Sequence, residues 1–449
     1  MDNISIDRRL PRTNLYKMSN ITLFAKTDFR GEDKTFGIKR ADRRCHTYVI
    51  GKTGTGKTTL LLNMMLSDIL SGEGLAVLDP HGDLAETILD YIPKHRINDV
   101  VYFNPSDIEY PISLNILEDT GPERRHIVVS GLISVFKRIW KDFWGPRLEH
   151  ILRNSILALL EYPESATLLA IQRMLYDPKY REKIVEKIDD PIVKAFWQKE
   201  FAGYHARLKS EAISPIQNKI GQFLATPLIR NIVGQIRTSI DFRAIMDEGK
   251  ILICNLSKGR LGEENSSLLG SLVVTRLQLA AMERIDISED SRKDFYLYVD
   301  EFQNFVSTEI FSHILSEARK YRLNLTIAHQ YLSQLDRDTM EAVFGNVGTT
   351  ISFRVGSRDA ELLAEFFRPV FSRDDFINLD RYMIYLRMAI DGKSSQPFSA
   401  RTLPPFRGYK FQGNREKIIS VSRQRYAGKR EEMERKIRRW SGQSSFEKT

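Results

Sequence analysis

Short, mainly apolar strand-like runs occupy residues 47–50, 74–78 and 100–103, with a helix-like stretch, Leu60-Leu61-Leu62-Asn63-Met64-Met65, after the first. Apolar runs that do not alternate with polar positions read as strands buried on both faces, the pattern of a parallel sheet. From about residue 121 to 247 helical periodicity takes over, with turns marked by Pro163, Pro178, Pro191 and Pro215. The strand pattern then returns at 250–256, 295–300, 324–328 and 350–353. This order predicts an α/β fold: one twisted, mainly parallel sheet whose halves are separated in the chain by an all-helical insertion. The expected segments are an N-terminal lead-in of short strands (1–45), a first half-core (46–120), the insertion (121–247), a second half-core (248–403) and an extension (404–449). The helix after the first strand should stop at Gly72-Glu73-Gly74, where glycine takes a left-handed cap most easily.

The turn between that strand and helix carries the first chemistry. Gly51-Lys52-Thr53-Gly54-Thr55-Gly56-Lys57-Thr58 fits G-x-x-x-x-G-K-[ST] at every fixed position, in the strand–loop–helix setting the motif needs. Gly51, Gly54 and Gly56 let backbone N–H groups turn inward around phosphates at the positive end of a helix. Thr53, Thr55 and Thr59 lie in or beside the cradle. Lys57 can reach the β- and γ-phosphates, and the Thr58 hydroxyl can bind Mg²⁺. The reading is a nucleoside triphosphate site, for ATP or GTP.

A second strand, Phe295-Tyr296-Leu297-Tyr298-Val299, ends in Asp300-Glu301. Two acids at a strand end are unremarkable alone, but beside a phosphate loop they read as the pair that completes the site. Asp300 would hold the Mg²⁺ shell, and Glu301 would orient or deprotonate the attacking water. A third strand ends in Ala328-His329-Gln330, and the residues alone leave Gln330 between γ-phosphate sensing and a polar strand terminus. His329 and His81 read as structural or surface histidines, because no second ligand is spaced to join either at a metal.

Composition narrows the setting. The 449-residue chain is 42% hydrophobic and carries a net charge of +9, which leans towards nucleic acid or an anionic membrane face. No run reaches the roughly 18–20 apolar residues of a membrane span, since 268–282 is broken by Arg276 and Gln278. The first residues lack an apolar signal-peptide core, and Cys45 and Cys254 suit reduced thiols. The expectation is a cytoplasmic protein.

Four segments together resemble the HerA/FtsK superfamily of ring ATPases. They are Asp79-Pro80-His81-Gly82-Asp83-Leu84, Val299-Asp300-Glu301-Phe302-Gln303-Asn304-Phe305, Ala318-Arg319-Lys320-Tyr321 and Ile327-Ala328-His329-Gln330. The likeness runs from about residue 36 to 398 and is nearest to the conjugative coupling proteins (TraG/TraD-like) of type IV secretion. It implies a RecA-like P-loop NTPase core and a hexameric ring that hydrolyses ATP between subunits and drives DNA through a central pore. It makes Gln330 the γ-phosphate sensor and Arg319, expected on the helix after Asp300-Glu301, the arginine finger for a neighbour's ATP. Members usually carry an N-terminal transmembrane anchor, and none is legible here. The resemblance therefore implies either a separate membrane or secretion-channel partner or a soluble translocase closer to HerA.

Segments that suit DNA contact also have plainer readings. Residues 136–147 interleave aromatics and basics, yet Phe136, Ile139/Trp140 and Phe143 fall at helical spacing, which favours a core-facing helix with solvated basics. Lys258 and Arg260 on a Gly-rich loop read equally as a pore loop or a surface turn, and Arg354 and Arg358 are similar. The basic tail reads as a solvated helix whose apolar edge (Met433, Ile437, Trp440) suits a neighbouring subunit. Nothing resembles a base-reading helix, so DNA binding should be independent of sequence. A protein-moving secretion ATPase and a slowly hydrolysing scaffold are the competing functions, and an intact Glu301 and Arg319 speak against the scaffold.

Overall fold

The structure, a computed structural model, describes residues 20–28, 33–118, 121–164, 166–306, 308–405 and 409–441. Residues 1–19 and 29–32 of the expected lead-in, and 442–449 of the extension, lie outside the described residues. In chain order the strands are β1 (Ile21–Thr27), β2 (Thr35–Lys39), β3 (Thr47–Ile50), β4 (Gly74–Asp79), β5 (Val100–Phe103), β6 (Ile251–Asn255) and β7 (Phe295–Val299). They continue with β8 (Leu323–His329), β9 (Thr349–Ser352), β10 (Met383–Arg387), β11 (Ala389–Ile390), β12 (Lys393–Ser394) and β13 (Phe398–Thr402). All but β11 and β12 join an 11-stranded sheet in the order β2-β1-β13-β10-β9-β3-β8-β7-β4-β6-β5. From β9 to β5 every pairing is parallel. From β2 to β9 every pairing is antiparallel. The sheet is mainly parallel and the fold α/β.

Within the antiparallel flank, β10 and β13 are what the apolar pattern did not reveal. In β10 only Ile384 and Leu386 are buried, so the strand alternates inside and outside and never forms a continuous apolar run. The helix Glu263–Glu283 shows the reverse case: it is buried on nearly all sides, between the sheet and the helix Arg125–Ile139, and so lacks an amphipathic stripe.

Residues 122–248 are helical apart from their connections, and Pro146, Pro178, Pro191 and Pro227 each open a helix. Pro215 is a correction: it lies inside the helix Ala206–Ala225 rather than at a turn. The missing N–H and ring clash weaken a helix there, but Ile213, Ile216, Ile220 and Phe223 are all buried on one side of it and outweigh the local penalty.

The C-terminal extension also departs from expectation. The helix Arg415–Tyr426 lies along β5, where Ser422 Oγ accepts the Tyr102 N–H at 2.9 Å and closes part of an otherwise open edge. The next helix, Arg430–Trp440, packs on this chain's own insertion. Met433 is buried, the Trp440 ring lies 6.0 Å from Tyr180, and Arg173 donates to the Trp440 carbonyl at 2.8 Å. The apolar edge assigned to a neighbouring subunit is covered within the chain.

The N-terminal strands are tied to the core by a buried ion pair. Arg43 donates to Asp68 Oδ1 (2.6 Å), Thr22 Oγ1 (2.9 Å) and the Tyr298 hydroxyl (2.7 Å), and its guanidinium lies 3.8 Å from the Tyr296 ring centroid. Both charges are almost wholly excluded from solvent. Removing one partner strands the other charge, so Arg43→Met should cost about 3–5 kcal/mol in urea unfolding. A loss below about 1 kcal/mol would show that solvent or a rearranged neighbour can replace the arginine.

Candidate nucleotide-binding site

The strand order gathers the site. β8 sits between β3 and β7, with Ile50 opposite His329 and Val299 opposite Ile327. All three run in the same direction, so the loop after β3, Gln330 after β8, and Asp300-Glu301 after β7 emerge together at one sheet end. Crevices at the carboxyl ends of parallel strands are where α/β folds bind ligands.

The loop after β3 is shaped as a cradle. Gly54 and Gly56 have φ of 77° and 124°, values a side chain would resist. Thr55 Oγ1 donates to the Lys52 carbonyl at 2.7 Å. Lys57 opens the helix Lys57–Leu70, and its ammonium is folded back onto the Gly51 carbonyl. Burial lowers the Lys57 pKa, while Glu301 and Asp300 oppose that shift. Thr58 is exposed and Thr59 partly so, at the start of the same helix. Thr53 Oγ1 donates to Gln330 Oε1 at 3.0 Å, which joins the loop to the third strand.

Asp300 and Glu301 are both buried. Burial, then repulsion from Glu301 and Asp79, pushes the Asp300 carboxyl up to about 7, with Lys57 pulling the other way. Glu301 adopts the left-handed region at φ 47°, and its Oε2 accepts from Gln303 Nε2 at 2.8 Å. Among the described residues no cluster of three or more histidines, cysteines or acids is arranged as a metal cage. Mg²⁺ does not need one, since it binds through one or two protein oxygens plus nucleotide phosphates. A buried, uncomfortably charged Asp300 and the hydroxyl of Thr58 fit that donor set.

Arg319 stands elsewhere. It is exposed, and lies in the 3₁₀ turn Ala318–Tyr321 that follows the helix Thr308–Glu317, not in the helix itself. This turn leads into the start of β8, so a strand of roughly 20 Å, at about 3.3 Å per residue, separates it from Gln330 and its own phosphate loop. Arg322, three residues on, is buried, has φ 58° and faces Asp290 at 3.6 Å.

Several contacts of the site gave no signal in the sequence. Tyr382 crowds Gly56 with its ring, and its N–H donates to the Thr55 carbonyl at 3.0 Å. The Lys52 N–H donates to the Arg354 carbonyl at 2.9 Å. Asp79 caps the turn after β4, accepting the N–H groups of His81 and Ala85, both at 2.9 Å. Tyr382 stands immediately before β10 and Arg354 two residues after β9, both far along the chain from the phosphate loop.

The segments with two readings resolve as follows. Phe136 and Trp140 are buried and stacked with centroids 4.3 Å apart, but Phe143 is 63% exposed and does not face the core. Arg138, expected to be solvated, is withdrawn into the protein, because a cluster of carbonyls and hydroxyls awaits it there. Lys258 and Arg260 belong to a short helix, Lys258–Leu261, and pair with Glu263 and Glu86. Arg354 and Arg358 are exposed.

Two buried histidines, one at each end of the β3–β8 pair, make the core sensitive to acid. His46 Nε2 lies 3.1 Å from the Leu315 carbonyl and its Nδ1 accepts the Leu325 N–H at 3.2 Å; His329 lies 3.1 Å from the Tyr48 hydroxyl. Burial, aided by Arg319, lowers the His46 pKa to about 4, and burial, aided by Lys57, lowers that of His329 to about 3. Both protonate near 6.5 when unfolded. Their stabilisation is therefore complete above pH 6.5 and is lost as pH falls towards 4 and then 3. At pH 4 the loss from His46 alone should be about 3 kcal/mol. A melting temperature unchanged from pH 7 to 4 would contradict this.

Comparison with known proteins finds likenesses over much of the fold. Residues 294–366, which hold β7, β8 and β9, match the family described as "TraM recognition site of TraD and TraG". The type 4 coupling protein DotL of Legionella pneumophila is 21% identical over 396 residues, covering 75% of this chain and 49% of DotL. The chain thus spans about half the length of this curated relative. Among solved structures, the plasmid coupling protein TrwB in complex with ADP and Mg²⁺ superposes with a TM-score of 0.63 at 15% identity, over 88% of this chain and 97% of that one. VirB4 of Thermoanaerobacter pseudethanolicus shares the fold at a TM-score of 0.56 and 14% identity, over 86% and 97% of the two chains. Among the described residues no helix is long and apolar enough to cross a membrane. These likenesses show an α/β, RecA-like P-loop NTPase fold shared with the coupling protein TrwB and, over residues 294–366, a segment similar to the TraD and TraG family.

Proposed function

We propose that this chain is the subunit of an ATP-hydrolysing ring, built of six copies, that moves DNA through its centre. The observation that carries the reading is the alignment of Lys57 and Thr58, Gln330, and Asp300-Glu301 at the same end of three adjacent parallel strands. Lys57 would leave the Gly51 carbonyl for the β- and γ-phosphate oxygens of ATP. Thr58 and Asp300 would hold Mg²⁺, which screens the charge that builds up as the γ-phosphoryl group transfers. Glu301 orients the attacking water and takes its proton as the new P–O bond forms and the β–γ bridge breaks, leaving ADP and phosphate. Gln330 exchanges its bond with Thr53 for one to the γ-phosphate and so senses whether that phosphate is present. Arg319 serves the site of the next subunit.

DNA as cargo is supported by the net charge of +9 and by the kind of protein the chain resembles. A protein partner on residues 294–366, in the manner the matched family is described, belongs to the same reading. The deciding experiment is ATPase activity with and without DNA. DNA of any sequence should raise the rate several-fold, and log affinity should fall linearly with log salt, because phosphate contacts release counterions. A rate indifferent to DNA would favour a protein-moving ATPase or a scaffold. A strong preference for one short sequence would also exclude this kind of DNA binding.

A further inference from the structure

Arg138 closes the helix Arg125–Ile139, the first long helix of the insertion, and its side chain leaves the insertion for the core. Its Nη1 donates to the carbonyls of Asn304 (2.8 Å) and Gln303 (3.4 Å). Its Nη2 donates to Ser271 Oγ (2.6 Å), Ser267 Oγ (2.8 Å) and the Ser267 carbonyl (3.4 Å). Every acceptor is uncharged, and burial pulls its pKa down to about 10. A buried cation without a counter-charge is costly, and an apolar side chain of similar length would fill the space without that cost. What the guanidinium supplies is a rigid fork of donors that can bridge two elements at once.

Those two elements are the helix Glu263–Glu283 and the loop after Glu301. The loop is already seated on the helix: Phe305 fills a notch at Gly270, where a Cβ would come within 2.1 Å of its ring. Ser267 Oγ donates to the Asn304 carbonyl, and Lys258 Nζ to Asn304 Oδ1, both at 2.8 Å. From here the contacts return to the acid. Asn304 gives both its N–H (2.9 Å) and its side-chain amide (2.8 Å) to the Glu301 carbonyl, while the Gln303 amide holds the Glu301 carboxylate. Glu301 itself is in the left-handed region, which a non-glycine residue keeps only when its surroundings impose it.

We propose that Arg138 is a positioning residue for Glu301: through Gln303 and Asn304 the insertion sets where the water-activating carboxylate stands. Trp140, two residues on, is buried and stacks 6.4 Å from Phe223 of the helix Ala206–Ala225, so the same helix end is anchored within the insertion. The inference rests on the role given to Glu301 above.

The test compares Arg138→Met and Arg138→Lys in the full chain, by amide hydrogen exchange and by ATPase kinetics. Arg138→Met should raise exchange of the 301–305 amides at least tenfold while β7 and β8 keep their protection. Its kcat should fall at least tenfold with KM and nucleotide affinity within twofold. Arg138→Lys keeps the charge but not the fork, and should lie between; it decides the matter if the methionine variant does not fold. In a Glu301→Gln background Arg138→Met should cost no further activity. Wild-type exchange in either folded variant overturns the inference, and so does raised exchange with an unchanged kcat. If Glu301→Gln itself keeps full turnover, or the wild type has none, the catalytic reading of Glu301 is what has failed; the exchange measurement then still upholds or overturns the part assigned to Arg138.

Discussion

Glu301→Gln will bind Mg²⁺ and ATP as the wild type does but turn over at least about 100-fold more slowly, the lower end of what a positioned general base contributes. The substitution preserves shape and the hydrogen bond from Gln303, whose amide can donate to a side-chain carbonyl as it does to a carboxylate. Asp300, Thr58 and Lys57 are untouched, so nothing that grips the nucleotide is removed. Only proton acceptance is lost. Stopped turnover with intact binding, read by equilibrium titration of a fluorescent nucleotide, is the expected pair of results. Wild-type-like turnover would mean that another group activates the water. Loss of binding as well would mean that the carboxylate holds the ground state, which a general base need not do.

Arg319→Ala will also keep ATP and lose hydrolysis, by about a thousandfold if it acts as arginine fingers do. Within one subunit it cannot contribute, because the turn Ala318–Tyr321 and Gln330 lie at opposite ends of β8. A head-to-tail ring removes that obstacle by setting one subunit's β8 start against the next subunit's phosphates. The decisive measurement mixes Arg319→Ala with Lys57→Ala. Each is inactive alone, yet some interfaces in a mixed ring combine an intact Arg319 with an intact phosphate loop, and activity should partly return. Mixed rings without recovery, or full activity in Arg319→Ala, would end its candidacy. Arg322 is then a poor replacement, being buried and held by its own backbone conformation.

Most of the candidate site was readable because its pattern lies in contiguous residues. A phosphate loop is a run of eight positions whose glycines and lysine act within one turn of chain, and Asp300-Glu301 needs only an apolar strand before it. Strands β3 to β7 were likewise visible as largely apolar runs, because parallel strands covered on both faces have no polar side, while β8 and β9 were read from mixed β-type runs. Of the antiparallel flank, β1 and β2 were read only as short lead-in strands, and β10 and β13 were not seen, since a strand such as β10 with one covered face dilutes its apolar residues by half.

What the sequence alone determined, then, is where a phosphate-loop pattern lies and which stretches must be buried. The tertiary structure decided what those residues meet. It set β8 between β3 and β7, turned the apolar edge of the C-terminal helix onto the insertion, and placed Arg319 at the far end of the sheet from its own phosphate loop. It also separated Arg138 from its basic neighbours. In the sequence Lys137, Arg138 and Lys141 form one basic segment, yet Arg138 alone is drawn under the Glu301 loop. Local sequence cannot distinguish a solvated cation from a buried one, because the difference lies in acceptors supplied by Ser267, Ser271, Gln303 and Asn304, more than a hundred residues along the chain.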